Sequence, residues 1–227
     1  MKHKAKEIWI FGGGHSIMEQ FKIPYVLREK VQSKELTPQA YLRYLLPLKD
    51  KQVLGINAAY MIGDLFSHIL FVDECFWKHN KEQLLEHPAQ LVSFNNRHKN
   101  VPHPSIIHLG KDTGKLQGIH PDPTKICFNN STGGAAINYA VHLGATKIVL
   151  LGFDMNGDKV THFHNEYFWI NNKPPFKEHL LPFKQIAKEC NERGVEVLNA
   201  SPNSSITAFK KVSVSDLLPE IKRRVQI

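Results

Sequence analysis

Short apolar runs recur along the chain, and each is followed by a segment whose apolar residues have helical spacing. Several of these runs are apolar throughout, which is typical of strands buried on both faces of a parallel sheet. We predict strands at residues 7–11, 52–56, 69–73, 90–94, 105–109, 147–153 and 195–199.

The segments between these runs are predicted to be helices. Gly194 lies where a helix would end, directly before the last predicted strand. Strands that alternate with helices indicate the α/β class, here a Rossmann-like sandwich with a mainly parallel sheet. The predicted helices are at about 15–29, 38–48, 59–66, 74–87, 134–144, 178–193 and 215–224.

Two long stretches interrupt the alternation. Residues 100–124 are rich in proline and glycine, and residues 155–177 are rich in polar, aromatic and histidine side chains. Long loops in a compact domain are often functional. We therefore predict one domain, residues 1–227, in which residues 155–177 form a lid over an active site.

The composition is that of a globular protein with a core, at 42% hydrophobic and 22% charged residues. No apolar run approaches the roughly 18 residues of a membrane span, and the one after the basic N-terminus is too short for a signal peptide. The three cysteines are far apart, as expected of reduced thiols in the cytoplasm. A net charge of +8 favours acidic partners, such as nucleotides, nucleic acids or anionic sugars.

Three consecutive glycines, Gly12, Gly13 and Gly14, follow the first predicted strand. They let another group approach the backbone closely, at a cost in conformational entropy. One interpretation is a phosphate bound at the N-terminus of the next helix, with Ser16 capping the helix or donating its hydroxyl. The other is a tight turn without a ligand. The dinucleotide-binding and P-loop fingerprints are both absent from this loop.

A second glycine-bearing turn lies in the stretch "FNNSTGGAAINYAVHLGATKIVLLGFDMN", residues 128–156. Its polar residues precede a helix rich in small residues, so they offer hydrogen-bond donors at a second helix N-terminus. Asp154 follows the next strand, at the edge where open α/β sheets bind ligands. The polar residues of the turn are Asn129, Asn130, Ser131 and Thr132.

Asp73 ends another predicted strand. It is either the N-cap of the next helix or a site residue that holds a ribose hydroxyl, a magnesium-bound phosphate or the acceptor. Trp77 is expected in the core, whereas Phe168 and Trp169 in the lid are expected to face the site.

His162 and His164 lie in the predicted lid, after Asp154. A neutral imidazole accepts a proton near neutral pH, so either is a candidate general base. The alternatives are a metal pair, which would need further ligands, and an ordinary surface loop. In an extended segment both side chains would point the same way.

These motifs together resemble the bacterial sialyltransferase family that uses CMP-sialic acid. They are also similar to the motility-accessory-factor and hydroxymethylpterin-pyrophosphokinase-like proteins of bacteria and phages. The resemblance runs through nearly the whole chain, in the order "FGGGHSI", "GINAAY", "FVDECFW", "NSTGGAAINYAVHLGATKIVLLGFDM", "THFHNEY" and "VEVLNASPNSSITAF".

The resemblance implies a nucleotide-binding transferase that takes a sugar from a nucleotide-sugar donor, CMP-linked, to a hydroxyl acceptor. The glycine loop and Asn57 would lie near the phosphate and ribose, Ser131, Thr132 and Gly133 near the nucleotide, and Tyr167 at the donor phosphate. A lid histidine would act as base. In these sialyltransferases the base lies late in the lid, shortly before the helix that leads to the Pro-Asn-Ser strand. We therefore assign the base to His164, with His162 either as the residue that orients it or as a donor contact.

The acceptor is a glycan, a small metabolite or DNA with hydroxylated bases, and no cofactor is required. The resemblance places the protein in the cytoplasm of a bacterial host or phage-infected cell and allows a homo-oligomer. One alternative is a pyrophosphokinase-like enzyme that uses ATP and Mg²⁺, with Asp73 and Asp154 facing the metal. Another is a non-catalytic nucleotide-binding protein.

Overall fold

The fold was analysed in a computed structural model. It describes residues 6–94, 105–112, 114–156, 162–165 and 176–223.

The strands are short and follow the predicted apolar runs closely. The structure adds three two-residue strands that the sequence pattern did not predict. In chain order the strands are β1 (Glu7–Phe11), β2 (Gln52–Ile56), β3 (His68–Phe71), β4 (Gln90–Ser93), β5 (Ile106–His108), β6 (Gly110–Lys111), β7 (Lys125–Ile126), β8 (Lys147–Leu151), β9 (Glu196–Asn199) and β10 (Lys210–Lys211).

The central sheet has the strand order β10-β9-β8-β1-β2-β3-β4-β5, and every pairing within it is parallel in the described part of the chain. A separate small sheet pairs β6 with β7. The predicted α/β class and mainly parallel, Rossmann-like sheet are confirmed.

The strand order places a topological switch point at β1. The chain moves outward from β1 through β2 to β5, returns to pair β8 with the other side of β1, and then continues to β9. Phe11 at the end of β1 is level with Leu151 of β8 and with Gly55 of β2. Ligands of open α/β sheets bind in the crevice at the carboxyl ends of the strands at such a point.

Helices cover both faces of the sheet. They are α1 (Ile17–Gln20), α2 (Tyr25–Gln32), α3 (Leu42–Leu45), α4 (Glu74–Glu86), α5 (Thr132–His142), α6 (Phe176–Leu180), α7 (Phe183–Glu192), α8 (Val214–Leu217) and α9 (Glu220–Arg223), with 3₁₀ helices at Pro38–Tyr41, Leu46–Leu48 and Asn57–Ile62.

Alternate residues of each strand face the two helical layers. Trp9 and Phe11 of β1 pack into the cluster that contains residues of α1 to α4. Ile8 and Ile10 pack into the opposite cluster with residues of α5 and α7. All four side chains are fully buried, so β1 is the centre of the core as well as the wall of the crevice.

Several predicted helices are shorter than their sequence patterns. The helix predicted at 15–29 is broken between α1 and α2, where Lys22 has a positive φ of 53° and Pro24 precedes α2. The helix predicted at 178–193 is divided into α6 and α7, with Pro182 at the N-cap of α7. Proline lacks the backbone N–H that a continuous helix needs, which explains both breaks.

The remaining corrections concern three weaker helical patterns. The segment predicted at 59–66 is the 3₁₀ helix Asn57–Ile62, and the segment at 38–48 is a succession of 3₁₀ and α turns. The C-terminal segment predicted at 215–224 consists of the short helices α8 and α9.

Candidate active site

A cleft of about 230 Å³ lies at the carboxyl ends of β1, β2, β3 and β8, at the switch point of the sheet. Most of the site residues predicted from the sequence line this cleft. They are Gly12, Gly13, Gly14, Asn57, Asp73, Asn130, Ser131, Thr132, Gly133, Asp154 and His162.

The glycine loop lies against the turn that follows β8. The N–H of Gly12 donates to the carbonyl of Leu151 at 2.8 Å, and the N–H of Gly14 donates to that of Gly152 at 2.9 Å. A Cβ on Gly12 would lie 2.7 Å from the Gly152 oxygen, and one on Gly14 would lie 2.5 Å from it. The glycines are therefore needed for close contact with another backbone.

Asp154 holds the start of α1 from the other side of the loop. Its Oδ2 accepts a hydrogen bond from the N–H of Ser16 at 2.8 Å, and its Oδ1 accepts one from the Ser16 hydroxyl. Both residues are buried, with 8% and 7% of their surface exposed. A carboxylate thus already occupies the N-terminus of α1, the position at which the sequence suggested a phosphate. Ser16 lies behind the cleft wall and makes no α1 capping bond among the described residues.

The segment 201–205, which contains the Pro-Asn-Ser motif, holds the backbone next to Asp154 through hydrogen bonds. Ser201 Oγ accepts a hydrogen bond from the N–H of Phe153 at 2.7 Å, and Ser204 Oγ donates to the carbonyl of Phe153 at 2.5 Å. The N–H of Ser205 donates to the carbonyl of Asp154 at 2.8 Å. This motif therefore fixes the wall of the cleft from behind.

The turn before α5 presents polar groups to the cleft. Asn129 and Asn130 both have positive φ, 55° and 52°, and the amide of Asn129 is bonded to the backbone of Gly118. Ser131 is the N-cap of α5, and its Oγ accepts the N–H of Gly134 at 3.0 Å. The first turn of a helix of 11 residues thus points its positive end at the cleft.

Asn57 follows β2 and carries an unsatisfied atom. Its φ is 49°, and its Oδ1 is buried without a hydrogen-bond partner in the described part of the chain. An unpartnered buried acceptor is costly, which is consistent with a ligand hydroxyl or amino group that donates to it.

Asp73 and His179 are two titratable groups that line the same cleft. Asp73 occupies the N-cap position of α4, but its side chain makes no capping bond to the described residues and lines the cleft instead. Desolvation in the cleft raises the pKa of the Asp73 carboxyl, although the residue is exposed at the surface, and the charge of His179 opposes this rise. Burial lowers the pKa of His179, and the carboxylates of Glu178 and Asp73 oppose this fall.

His179 is a cleft residue that the sequence pattern did not indicate; it belongs to α6 and lies beyond the predicted lid. Its ring packs edge-on against Phe176, with 6.3 Å between ring centroids. Asn130 Nδ2 donates to the carbonyl of Glu178 at 3.3 Å, which links α6 to the turn before α5. The sequence feature that could have indicated His179 as a site residue is its position just after the predicted lid and shortly before α7.

The two predicted histidines differ in position. His162 lines the cleft, whereas His164, with 4% of its surface exposed, does not line it. Burial lowers the pKa of His162 to about 4. Burial, with a smaller effect from His162, lowers the pKa of His164 to about 3. Both imidazoles are therefore neutral at physiological pH.

Aromatic side chains form part of the cleft wall, namely Phe128, Phe153 and Phe176. Trp77 is in the core as predicted, stacked on Phe71 with 5.3 Å between ring centroids. The predicted site residues Tyr167, Phe168 and Trp169 lie outside the described residues, as does most of the predicted lid.

Within the described ranges, no group of three histidine, cysteine, aspartate or glutamate side chains is arranged to hold a metal ion. The same part of the chain has no helix that is both long and apolar enough to cross a bilayer. The three cysteines are free thiols, as predicted.

No protein-family model matches the chain, and no curated protein matches it. Among solved structures, it is similar to the sialyltransferase CstII from Campylobacter jejuni in complex with the substrate analogue CMP-3FNeuAc. The identity is 12%, the TM-score is 0.46, and the alignment covers 92% of this chain and 86% of that one.

The complex of the same enzyme with cytidine-5'-monophosphate gives 13% identity, a TM-score of 0.49, and coverage of 92% and 85%. A variant of the sialyltransferase CST-II in complex with CMP gives 15% identity and a TM-score of 0.49, with coverage of 92% of this chain and 86% of that one. A similarity of this size does not transfer a ligand or a reaction to this chain.

Proposed function

We propose that the protein is a glycosyltransferase that moves a sugar from a CMP-linked donor to a hydroxyl acceptor. The observation that carries the proposal is the joint presence, in one cleft, of His179, Asp73 and the N-terminus of α5. His179 can accept a proton, and the helix N-terminus can hold a phosphate.

The phosphate of the donor is assigned to the first turn of α5. The Ser131 side chain is used by the cap, so the backbone N–H groups of Thr132 and Gly133 are the donors closest to the positive end of the helix. A Cβ on Gly133 would lie 2.9 Å from the ring of Phe153, which keeps this turn compact against the cleft wall. Helix N-termini of this kind stabilise a phosphate without a cation.

The charge of the cleft favours a donor with one phosphate. The described residues that line it include Asp73 and Asp154 but no lysine or arginine. A nucleoside triphosphate brings several negative charges, which usually require Mg²⁺ or cationic side chains. The oxygens of Asp154 are engaged by Ser16, so this carboxyl group is poorly placed to hold the Mg²⁺ of the pyrophosphokinase alternative.

We assign the general base to His179 and revise the role given to His164. His164 does not line the cleft, and the strongly lowered pKa of His162 makes it a weak base. His179 has a neighbouring carboxylate, Asp73, that stabilises the imidazolium formed when it takes a proton.

In the proposed reaction, His179 takes the proton of the acceptor hydroxyl. The acceptor oxygen forms a bond to the anomeric carbon of the sugar while the bond from that carbon to the phosphate oxygen breaks. The electron pair leaves with the phosphate, and CMP departs from the α5 N-terminus. His162 contacts the donor side of the cleft.

The test is a panel of nucleotides and nucleotide sugars. We expect CMP to raise the melting temperature and a CMP-linked sugar to be consumed, with CMP released, in buffer that contains EDTA. Binding of a ligand at 100 times its Kd stabilises a protein by about 2.7 kcal/mol, which a melting curve detects. Magnesium-dependent conversion of ATP to AMP, with no response to any CMP compound, would contradict the proposal.

A further inference from the structure

The glycine loop is in contact with protein on both of its sides. On the β8 side, its N–H groups at Gly12 and Gly14 donate to backbone carbonyls. These are two of the three N–H groups that a phosphate in this loop would use. The N–H of Ser16, two residues after Gly14, donates to Asp154. The loop therefore has few donors left for an anion.

The other side of the loop faces the segment that contains His162. The N–H of Phe163 donates to the carbonyl of Gly13 at 3.1 Å, and Gly14 forms an antiparallel bridge with His162. A Cβ on Gly13 would lie 2.9 Å from Cδ2 and 3.7 Å from Nε2 of the His162 ring, with no other heavy atom as near. The imidazole therefore packs against Gly13 at the position that the Cβ of any other residue would occupy.

The segment after His162 is anchored in the core. Phe163 is fully buried, and its ring packs edge-on against Phe11 at the end of β1, with 5.8 Å between ring centroids. Tyr41 Oη donates to the carbonyl of Phe163 at 3.3 Å. Gln32 Nε2 donates to the carbonyl of His162 at 3.2 Å. These contacts fix the backbone of His162 and Phe163 next to the cleft.

We propose that the glycine loop packs against the His162 imidazole and fixes its position, and that it does not bind a phosphate. We call this contact the seat of His162. Gly13 positions the imidazole directly, and Asp154 positions it indirectly by fixing the loop through Ser16. The use of this imidazole as a donor-side contact rests on the proposed function, whereas the seat itself does not.

The environment of His162 fits this role. Its ring lies 5.4 Å from that of His164 between centroids, and no lysine or arginine lines the cleft among the described residues. A half-buried neutral imidazole gives a hydrogen bond of fixed direction without adding a charge. Neutral histidines with lowered pKa serve in this way in other enzymes.

Gly13→Ala tests the seat. Gly13 has no positive φ, so its backbone accepts alanine, and the added carbon meets only the His162 ring within 4 Å. We expect the ring to be displaced towards solvent. In NMR titrations of ¹³C-labelled histidine, the pKa of His162 should then rise by at least about one unit towards its ordinary value near 6.5. His162→Ala identifies the signal.

Gly114→Ala is the matched control, because the nearest atom to its added carbon is Asp112 Oδ1 at 3.4 Å, and it should leave the titration unchanged. Unfolding in denaturant gives a second readout. Gly13→Ala should cost less stability in a His162→Ala background than in the wild type, because the clashing ring is absent.

An unchanged His162 titration in Gly13→Ala, or equal stability costs in the two backgrounds, would overturn the seat. A tenfold loss of CMP affinity with the His162 signal unmoved would identify the loop as a phosphate cradle instead. Neither the titration nor the unfolding cycle requires a nucleotide. A protein that binds no CMP would therefore contradict the proposed function and leave this inference standing.

Discussion

His179→Ala is expected to lower the turnover of a CMP-linked donor by about a hundredfold or more, the usual scale for loss of a general base. CMP affinity should remain within about twofold, because the phosphate is assigned to α5 and not to α6. Steady-state rates and calorimetric CMP titration measure the two effects. His79→Ala is the matched control, since His79 is exposed on α4 and its Nδ1 is bonded to the carbonyl of Cys75.

The partner of His179 gives a second readout of the same prediction. Burial lowers the pKa of His179, and the negative charges of Glu178 and Asp73 oppose part of this fall. In Asp73→Asn the contribution of Asp73 is lost, so the imidazole loses its proton at lower pH and the acid limb of kcat/KM should move to lower pH. A fully active His179→Ala variant would show that the base is assigned to the wrong residue.

Asp154→Ala is expected to destabilise the protein by about 3 kcal/mol, because it leaves the buried N–H and hydroxyl of Ser16 without their acceptor. For a chain of this size the melting temperature should fall by about 6–12 °C. Thermal unfolding measures the effect. Asp50→Ala, at an exposed position, should stay within about 0.5 kcal/mol of the wild type.

The pairing of Asp154 with Ser16 makes this prediction specific. Ser16→Ala should cost less than Asp154→Ala, and the two changes together should cost less than their sum, because they remove the same hydrogen bond. Strict additivity would mean that the two side chains do not stabilise the fold through each other. The structure would then give no support for Asp154 as the residue that fixes the loop.

The sequence predicted the fold class because its evidence is local. Apolar runs such as those of β1 and β8 identify buried strands, and their alternation with helices identifies the α/β class. Strand order is not local: nothing in either run indicates that β8 pairs with β1. The position of the cleft follows from that pairing, so the cleft could be predicted only as an edge of the sheet.

The glycine loop shows where residue type is ambiguous. The sequence indicated a close approach to the backbone at Gly12–Gly14, and the structure places the turn after β8 and the ring of His162 there. A phosphate would demand the same absence of side chains. Only the three-dimensional neighbours distinguish the two interpretations.

The histidines show a limit of reasoning from spacing. His162 and His164 were expected to point the same way, and their rings are neighbours with 5.4 Å between centroids, but only His162 lines the cleft. His179 was overlooked because it lies inside the helix predicted at 178–193, which the structure divides into α6 and α7, and outside the predicted lid. The proposed role of Tyr167 stays a prediction.

The most direct measurement is a crystal structure of the protein soaked with CMP. The proposal predicts the phosphate within about 3 Å of the backbone N–H groups of Thr132 and Gly133, on the side of the cleft that faces His162. It also predicts that the ribose or base donates to Oδ1 of Asn57. A phosphate bound by the N–H groups of Gly12–Gly14, or CMP bound outside the cleft, would contradict the account.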